Sequence, residues 1–215
     1  AKHGNRAASS QCGSADVLET LGVVIDLDAA GVGRCIAEVG IGFCFAQKFH
    51  PAMRFAGPAR TQIGVPTTFN FLGPLANPAR VKRQVVGVGD PAMAEPVAAT
   101  LVELGSTHAM VFFGHDGLDE LTTVDTSTAL VVRDGGVERH AIETLDYGLA
   151  RATAEDLRGG HAPRHTKLLP PVLVGEPGPP RDETRSNEAP APQVADVADS
   201  GTAAVALAAA VSNGS

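Results

Sequence analysis

The chain has 215 residues, 44% of them hydrophobic, and a formal net charge of −7; that length supports one good-sized core, or a core with a small appendage. The acidic balance argues against nucleic-acid and membrane-surface partners, both of which reward a basic face, so a phosphate site here has to be a local positive pocket. Cys12, Cys35 and Cys44 lack CxxC or Cys/His ligand spacing and support neither a disulfide frame nor a structural zinc site; a reduced cytoplasm fits them best. No cationic start followed by an apolar h-region is present, and no apolar run is free enough of polar breaks to span a bilayer. The start at Ala1, at what reads as a strand-to-loop transition, suggests a fragment of a longer protein.

The segment from Lys2 to Asp16 places Lys2, Arg6, the hydroxyls of Ser9, Ser10 and Ser14, and Gly4 and Gly13 ahead of a helix. Ser14 is the expected N-cap before Val17, Leu18 and Leu21, and Gly22 is the expected stop. Free N–H groups at a helix start, two cations and glycines that let backbone approach a ligand suit a phosphate; a capped polar surface loop is the plainer alternative. A second helix is expected through Cys35, Ile36 and Val39. Residues 41 to 46 suit a short buried strand, although periodicity alone leaves a helix open at this length. Pro51 opens a helix that ends at Gly64, with Pro58 a kink, and residues 69 to 78 form a shaped loop.

Gln84 to Val88 reads as a strand. The following Gly87-Val88-Gly89-Asp90 lacks the third glycine of a dinucleotide fingerprint and runs into Pro91, so it reads as a strand-to-helix turn. A helix over residues 92 to 104 closed by Gly105 and a strand over residues 108 to 113 continue the alternation, which argues for parallel crossovers. Residues 129 to 133 and 137 to 142 flank Asp134-Gly135-Gly136, the signal for a hairpin at an antiparallel edge. Residues 162 to 192 hold more than half of the fifteen prolines. We therefore expect 162–195 to be loop or disorder, and the Ala-rich 196–215 to close with a helix. No internal repeat is found.

Four motifs occur together: Lys2-His3-Gly4-Asn5-Arg6-Ala7-Ala8-Ser9-Ser10 with Ser14; His50-Pro51-Ala52-Met53-Arg54 with Arg60; Phe69-Asn70-Phe71-Leu72-Gly73-Pro74-Leu75-Ala76-Asn77-Pro78; and Gly117-Leu118-Asp119-Glu120-Leu121. In this order and spacing they resemble anthranilate phosphoribosyltransferases, over about residues 1 to 160. The resemblance implies an α/β fold of the nucleoside phosphorylase/phosphoribosyltransferase kind, with a mostly parallel central sheet, flanking helices and an antiparallel hairpin. It places 1–49 and 79–161 in the α/β domain, 50–78 in a small helical lobe and 196–215 in the last helix of the α/β domain. The string Arg181-Asp182-Glu183-Thr184-Arg185-Ser186 departs from the apolar helix that the family has there.

The implied reaction transfers phosphoribosyl from phosphoribosyl pyrophosphate to the amine of anthranilate, in a cytoplasmic homodimer of tryptophan biosynthesis. By resemblance, Lys2, His3, Gly4, Asn5, Arg6, Ala7, Ala8, Ser9, Ser10 and Ser14 bind substrate. Arg60 takes the anthranilate carboxylate, for which a planar guanidinium offers two parallel hydrogen bonds. Asn5 is the second anthranilate contact and His3 lies against the aromatic acid. Asp119 and Glu120 are the magnesium ligands, as adjacent carboxylates in a Gly-rich turn suit a hard cation; Asp116 is a neighbour that supports them. No residue is assigned as a catalytic acid or base. Cys12 stands where serine is common and is left out of the site, while His50 and His115 read as a helix cap and a turn residue. The family's GTGGD loop and helical N-terminal part do not occur in the chain, so these residues alone are expected to be catalytically silent. Three rival readings are a nucleoside phosphorylase, a nucleic-acid-binding paralogue and an inactive truncated product.

Overall fold

The computed structural model describes residues 1–6, 12–65, 67–158, 167 and 176–182. Ala7, Ala8, Ser9 and Ser10, most of the Pro-rich stretch and the expected C-terminal helix lie outside the described residues.

Strand β1 (Lys2–Gly4) pairs in parallel with β2 (Phe43–Phe45), with His3 opposite Cys44. Between them run α1 (Ser14–Thr20) and α2 (Ala29–Val39). Helix α1 buries Ala15 and Leu18 in a small core with Ile25 and Phe45. Gly22 and Gly40, at φ of 83° each, end the two helices in the left-handed conformation that glycine adopts without strain. The N-cap of α1 differs from expectation: Gly13 holds it, and Asp16 reaches back to accept the Gly13 N–H at 2.8 Å, leaving Ser14 as the first helical residue. Asp28 caps α2 by accepting from the Gly31 N–H at 2.7 Å.

After the single turn α3 (Ala46–Phe49), helix α4 (Met53–Ile63) runs through Pro58 and stops at Gly64. Pro58 offers no N–H to the carbonyl of Arg54, so its presence weakens this helix without breaking it. The shaped loop is a 3-10 turn at Thr68–Asn70 followed by the short α5 (Leu72–Leu75).

The larger sheet has the order β3 (Arg83–Gly87), β4 (His108–Gly114), β5 (Ser127–Arg133), β6 (Gly136–Ile142). Helix α6 (Ala94–Glu103) crosses from β3 to its parallel partner β4. Ala94, Val97, Ala98 and Leu101 recur on one face of α6 at helical spacing, and alternate β4 residues Ala109, Val111 and Phe113 meet them. The intervening Met110 and Phe112 pack on the opposite face with Leu121, Ala129, Val131 and Ile142. Both faces of β4 are thus covered, and fully buried side chains such as Leu101 and Val111 each contribute about 1.5 to 3 kcal/mol.

The hairpin between β5 and β6 turns at Asp134 (φ 52°) and Gly135 (φ 77°), as its sequence predicts. The antiparallel part begins one strand earlier, because β4 already pairs antiparallel with β5. Among the described residues two strand pairings are parallel and two antiparallel, so the four-stranded sheet is mixed. The reason is visible in the connection: residues 115–126 contain no helix to carry a parallel crossover, and the chain returns directly. No helix among the described residues is long and apolar enough to cross a membrane.

Candidate functional site

Strand β1 brings Lys2 to the loop that follows β4. Its ammonium is deeply buried although the residue as a whole is only half covered. Burial pulls the Lys2 pKa down, and the charges of Glu120 and Asp119 pull it back up. Asp119 is shifted the opposite way: burial raises its pKa, opposed by its own backbone N–H and by Lys2. Glu120 is 6% exposed. The structure therefore joins two motifs 117 residues apart, a cation from one and two carboxylates from the other.

The backbone around the acidic pair is tightly specified. Gly117, at φ 93°, turns the loop, and the Gly114 N–H donates to the Leu118 carbonyl at 2.9 Å. Asp116 accepts from the Leu118 N–H at 3.2 Å and from the Thr122 hydroxyl at 2.6 Å. It thereby ties together the two ends of the segment that carries Asp119 and Glu120. The Asp119 carbonyl rests directly on Gly87 at the end of β3; a Cβ built on Gly87 would lie 1.8 Å from that oxygen. Gly87, which reads in sequence as part of a strand-to-helix turn, is thus the floor of the acidic loop.

His3, His50 and the residues around Arg60 form a second group. His3 Nδ1 lies 2.9 Å from the Gly73 carbonyl, and His3 Nε2 lies 3.1 Å from His50 Nε2, with the rings edge to face. Burial lowers the His3 pKa, opposed by the Gly73 carbonyl and reinforced by His50 and Lys2. Arg60, on α4, donates to Asn70 Oδ1 at 3.3 Å and lies over the Phe69 ring at 5.5 Å. Asn70 also accepts from the Thr67 N–H at 3.0 Å, so the side chain that holds Arg60 is itself fixed by its own turn.

The remaining candidates are less concentrated. Asn5 accepts from the Arg6 N–H at 2.9 Å and from Gln47 Nε2 at 3.5 Å. Arg6 is engaged with Glu19 through two parallel hydrogen bonds of 3.0 and 2.7 Å and stacks on Phe45, so in this conformation its charge faces α1. The Ser14 hydroxyl packs against Gly4, where a Cβ would lie 2.5 Å from it. Cys12 is buried, and burial pushes its thiol pKa up. His115 bonds Thr128 Oγ1 at 3.0 Å and is the turn residue expected. His50 is a helix cap as read, ending α3 with its N–H on the Ala46 carbonyl at 2.8 Å, and is also a partner of His3; the sequence carries no spacing signal for that second contact, 47 residues long. Among the described residues no cluster of three or more His, Cys, Asp or Glu is arranged for a metal.

The whole chain, residues 1–215, matches the glycosyl transferase family, a/b domain, and belongs to that family. Its relatives include the anthranilate phosphoribosyltransferases of Roseiflexus castenholzii, 54% identical over 200 residues, and Chloroflexus aurantiacus, 51% identical over 210 residues. These alignments cover 92% and 97% of this chain but 59% and 62% of the relatives, so the chain spans about 60% of their length. The crystal structure of the anthranilate phosphoribosyltransferase from Thermus thermophilus is 39% identical, with a TM-score of 0.83 over 99% of this chain and 64% of that one. The Saccharomyces cerevisiae enzyme in complex with phosphoribosyl pyrophosphate and magnesium shares the fold at 23% identity and a TM-score of 0.75.

Proposed function

We propose that the chain supplies the acceptor-binding residues and one acidic metal-binding pair of an anthranilate phosphoribosyltransferase. The observation that carries this reading is the convergence of Lys2 on Asp119 and Glu120, joined through His3 to the loop that holds Arg60. In the reaction the anthranilate nitrogen forms a bond to ribose C1 as the C1–oxygen bond to pyrophosphate breaks. The nitrogen then gives up a proton, and pyrophosphate leaves with the bonding pair.

Lys2 lies where a cation can face the anionic donor. Gly4, lacking a side chain, lets the Ser14 hydroxyl and the Phe43 ring close on the strand that carries Lys2. Arg60 orients the acceptor by its carboxylate, and Asn5 lies beside it as a hydrogen-bonding amide. Asp119 and Glu120 fit magnesium: two adjacent hard oxygen donors, partly desolvated, are suited to a small dication. When bound, such an ion would neutralise charge on the departing pyrophosphate. The neutral aniline nitrogen needs no strong base, which agrees with the absence of an assigned catalytic acid or base. We assign residues 1–49 and 79–161 to an α/β domain and 50–78 to a small helical lobe. The His3–Gly73 bond then joins the two parts. A cytoplasmic homodimer completes the proposal.

Arg60→Ala in the full-length protein is expected to raise KM for anthranilate by roughly ten- to 100-fold, the loss of one charge-assisted contact, with little change in KM for the donor. Steady-state kinetics with each substrate varied in turn checks this; equal effects on both substrates would remove Arg60 from the acceptor site.

A further inference from the structure

The two histidines have a defined proton arrangement. The Gly73 carbonyl can only accept, so the neutral His3 ring carries its proton on Nδ1 and presents a lone pair at Nε2. His50 Nε2 therefore carries the proton that bridges the rings. One chain of hydrogen bonds, from His50 through His3 to Gly73, closes the segment after α3 onto β1 and onto α5, which follows the turn whose Asn70 accepts from Arg60 of α4. We propose that His50 is a positioning residue, and that His50 and His3 form a pH-sensitive clasp that holds the acceptor side of the site in place. The clasp itself stands on the geometry, whereas its effect on the acceptor rests on the transferase reading.

The pair accepts one additional proton without opening: His50 can shift its own proton to Nδ1 and take a hydrogen bond from the doubly protonated His3 ring. A second proton places two N–H donors and two positive charges face to face at 3.1 Å, and the clasp opens. The groups around His3 favour its neutral form. Lys2 adds like charge from the same strand, burial keeps the adjacent Cys44 thiol protonated, and Lys48 on α3 is paired with Asp26 at 3.2 Å. Residues 67–76 contain no titratable side chain. The sign follows from the lowered His3 pKa: the folded state favours the neutral ring, so the clasp is complete above the ordinary value of 6.5, and acid takes the pair first to the singly protonated, still closed form and then to the open one.

Two variants separate the roles of the bond and of the titration. In His50→Gln the amide can donate to a neutral His3 or accept from a protonated one, and it does not titrate; in His50→Leu neither is possible. For the full-length protein, KM for anthranilate is expected to rise by about two- to tenfold on the acid side of the ordinary histidine value of 6.5, to stay level in His50→Gln, and to be raised at every pH in His50→Leu. The value of kcat should change less in all three. Proton–nitrogen correlation spectra of the histidine rings, recorded on the 215-residue chain, should show His3 protonated on Nδ1 at pH 8 in the unmodified chain and in His50→Gln. An acid rise of KM that persists in His50→Gln, or a His3 ring protonated on Nε2 alone, would overturn the clasp. If the spectra are as expected but anthranilate is no substrate, the clasp stands and the transferase reading fails.

Discussion

Replacing Asp119 and Glu120 together by Asn and Gln is expected to lower kcat by on the order of 10² to 10³-fold, the scale seen when a single preorganised charge-stabilising contact is removed. Neutral amides are much poorer ligands for a hard dication, so the residual rate should no longer respond to magnesium at this pair. A second consequence concerns Lys2. Burial lowers the pKa of its ammonium and the two carboxylates oppose that shift, so their removal leaves desolvation unopposed. In the double variant the loss of donor binding on the alkaline side should therefore set in at a lower pH than in the unmodified protein, because Lys2 gives up its charge more readily. A magnesium titration with kcat as readout checks the first effect, and donor KM against pH checks the second. An unchanged titration curve would remove both residues from the metal site.

Gly87→Ala should be the most damaging single-methyl change in the described part of the fold. The added Cβ would sit 1.8 Å from the backbone oxygen of Asp119 and 2.8 Å from its carbonyl carbon, and no side-chain rotation relieves a clash with backbone. Either β3 or the acidic loop has to move. Overpacking of this kind costs about 3 kcal/mol, which for a chain of this size lowers Tm by roughly 6 to 12 °C. Activity should fall further than stability, since the displaced residue is itself a proposed metal ligand. Gly89→Ala is the matched control: a Cβ there meets nothing within 4 Å, and its effect should stay within about 0.5 kcal/mol. Thermal melts of the two variants side by side decide the matter, and equal melting temperatures would contradict the close packing of Asp119 on Gly87.

The parts of the fold that were legible in the sequence are those governed by local rules. The face of α6 formed by Ala94, Val97, Ala98 and Leu101, the Asp134-Gly135 turn and the glycine stops at Gly22, Gly64 and Gly105 all follow from periodicity or from a backbone angle that favours glycine. Ser14 lost the N-cap to Gly13 because the carboxylate of Asp16 reaches back to the Gly13 N–H, a competition that composition does not rank. The antiparallel pairing of β4 with β5 was concealed for a different reason. The strand-helix alternation ends at β4, and only the lack of a helix over residues 115–126 marks the change.

The candidate site was legible by resemblance but not by spacing. Nothing local links Lys2 to Asp119 and Glu120, or His3 to His50, since those contacts arise when β1, β2 and the loop after β4 are brought together. Arg6 shows the converse: a cation beside the site in sequence whose charge the fold turns toward Glu19.

The central claim is that this chain belongs to an enzyme that places phosphoribosyl on the amine of anthranilate. Its most direct test is steady-state turnover by the full-length protein of anthranilate with phosphoribosyl pyrophosphate and magnesium, followed by loss of anthranilate fluorescence and release of pyrophosphate. Magnesium-dependent turnover with one pyrophosphate released per anthranilate consumed is the predicted result. No consumption of anthranilate, together with phosphate-dependent cleavage of a nucleoside by the same preparation, would contradict it and assign the site to a nucleoside phosphorylase.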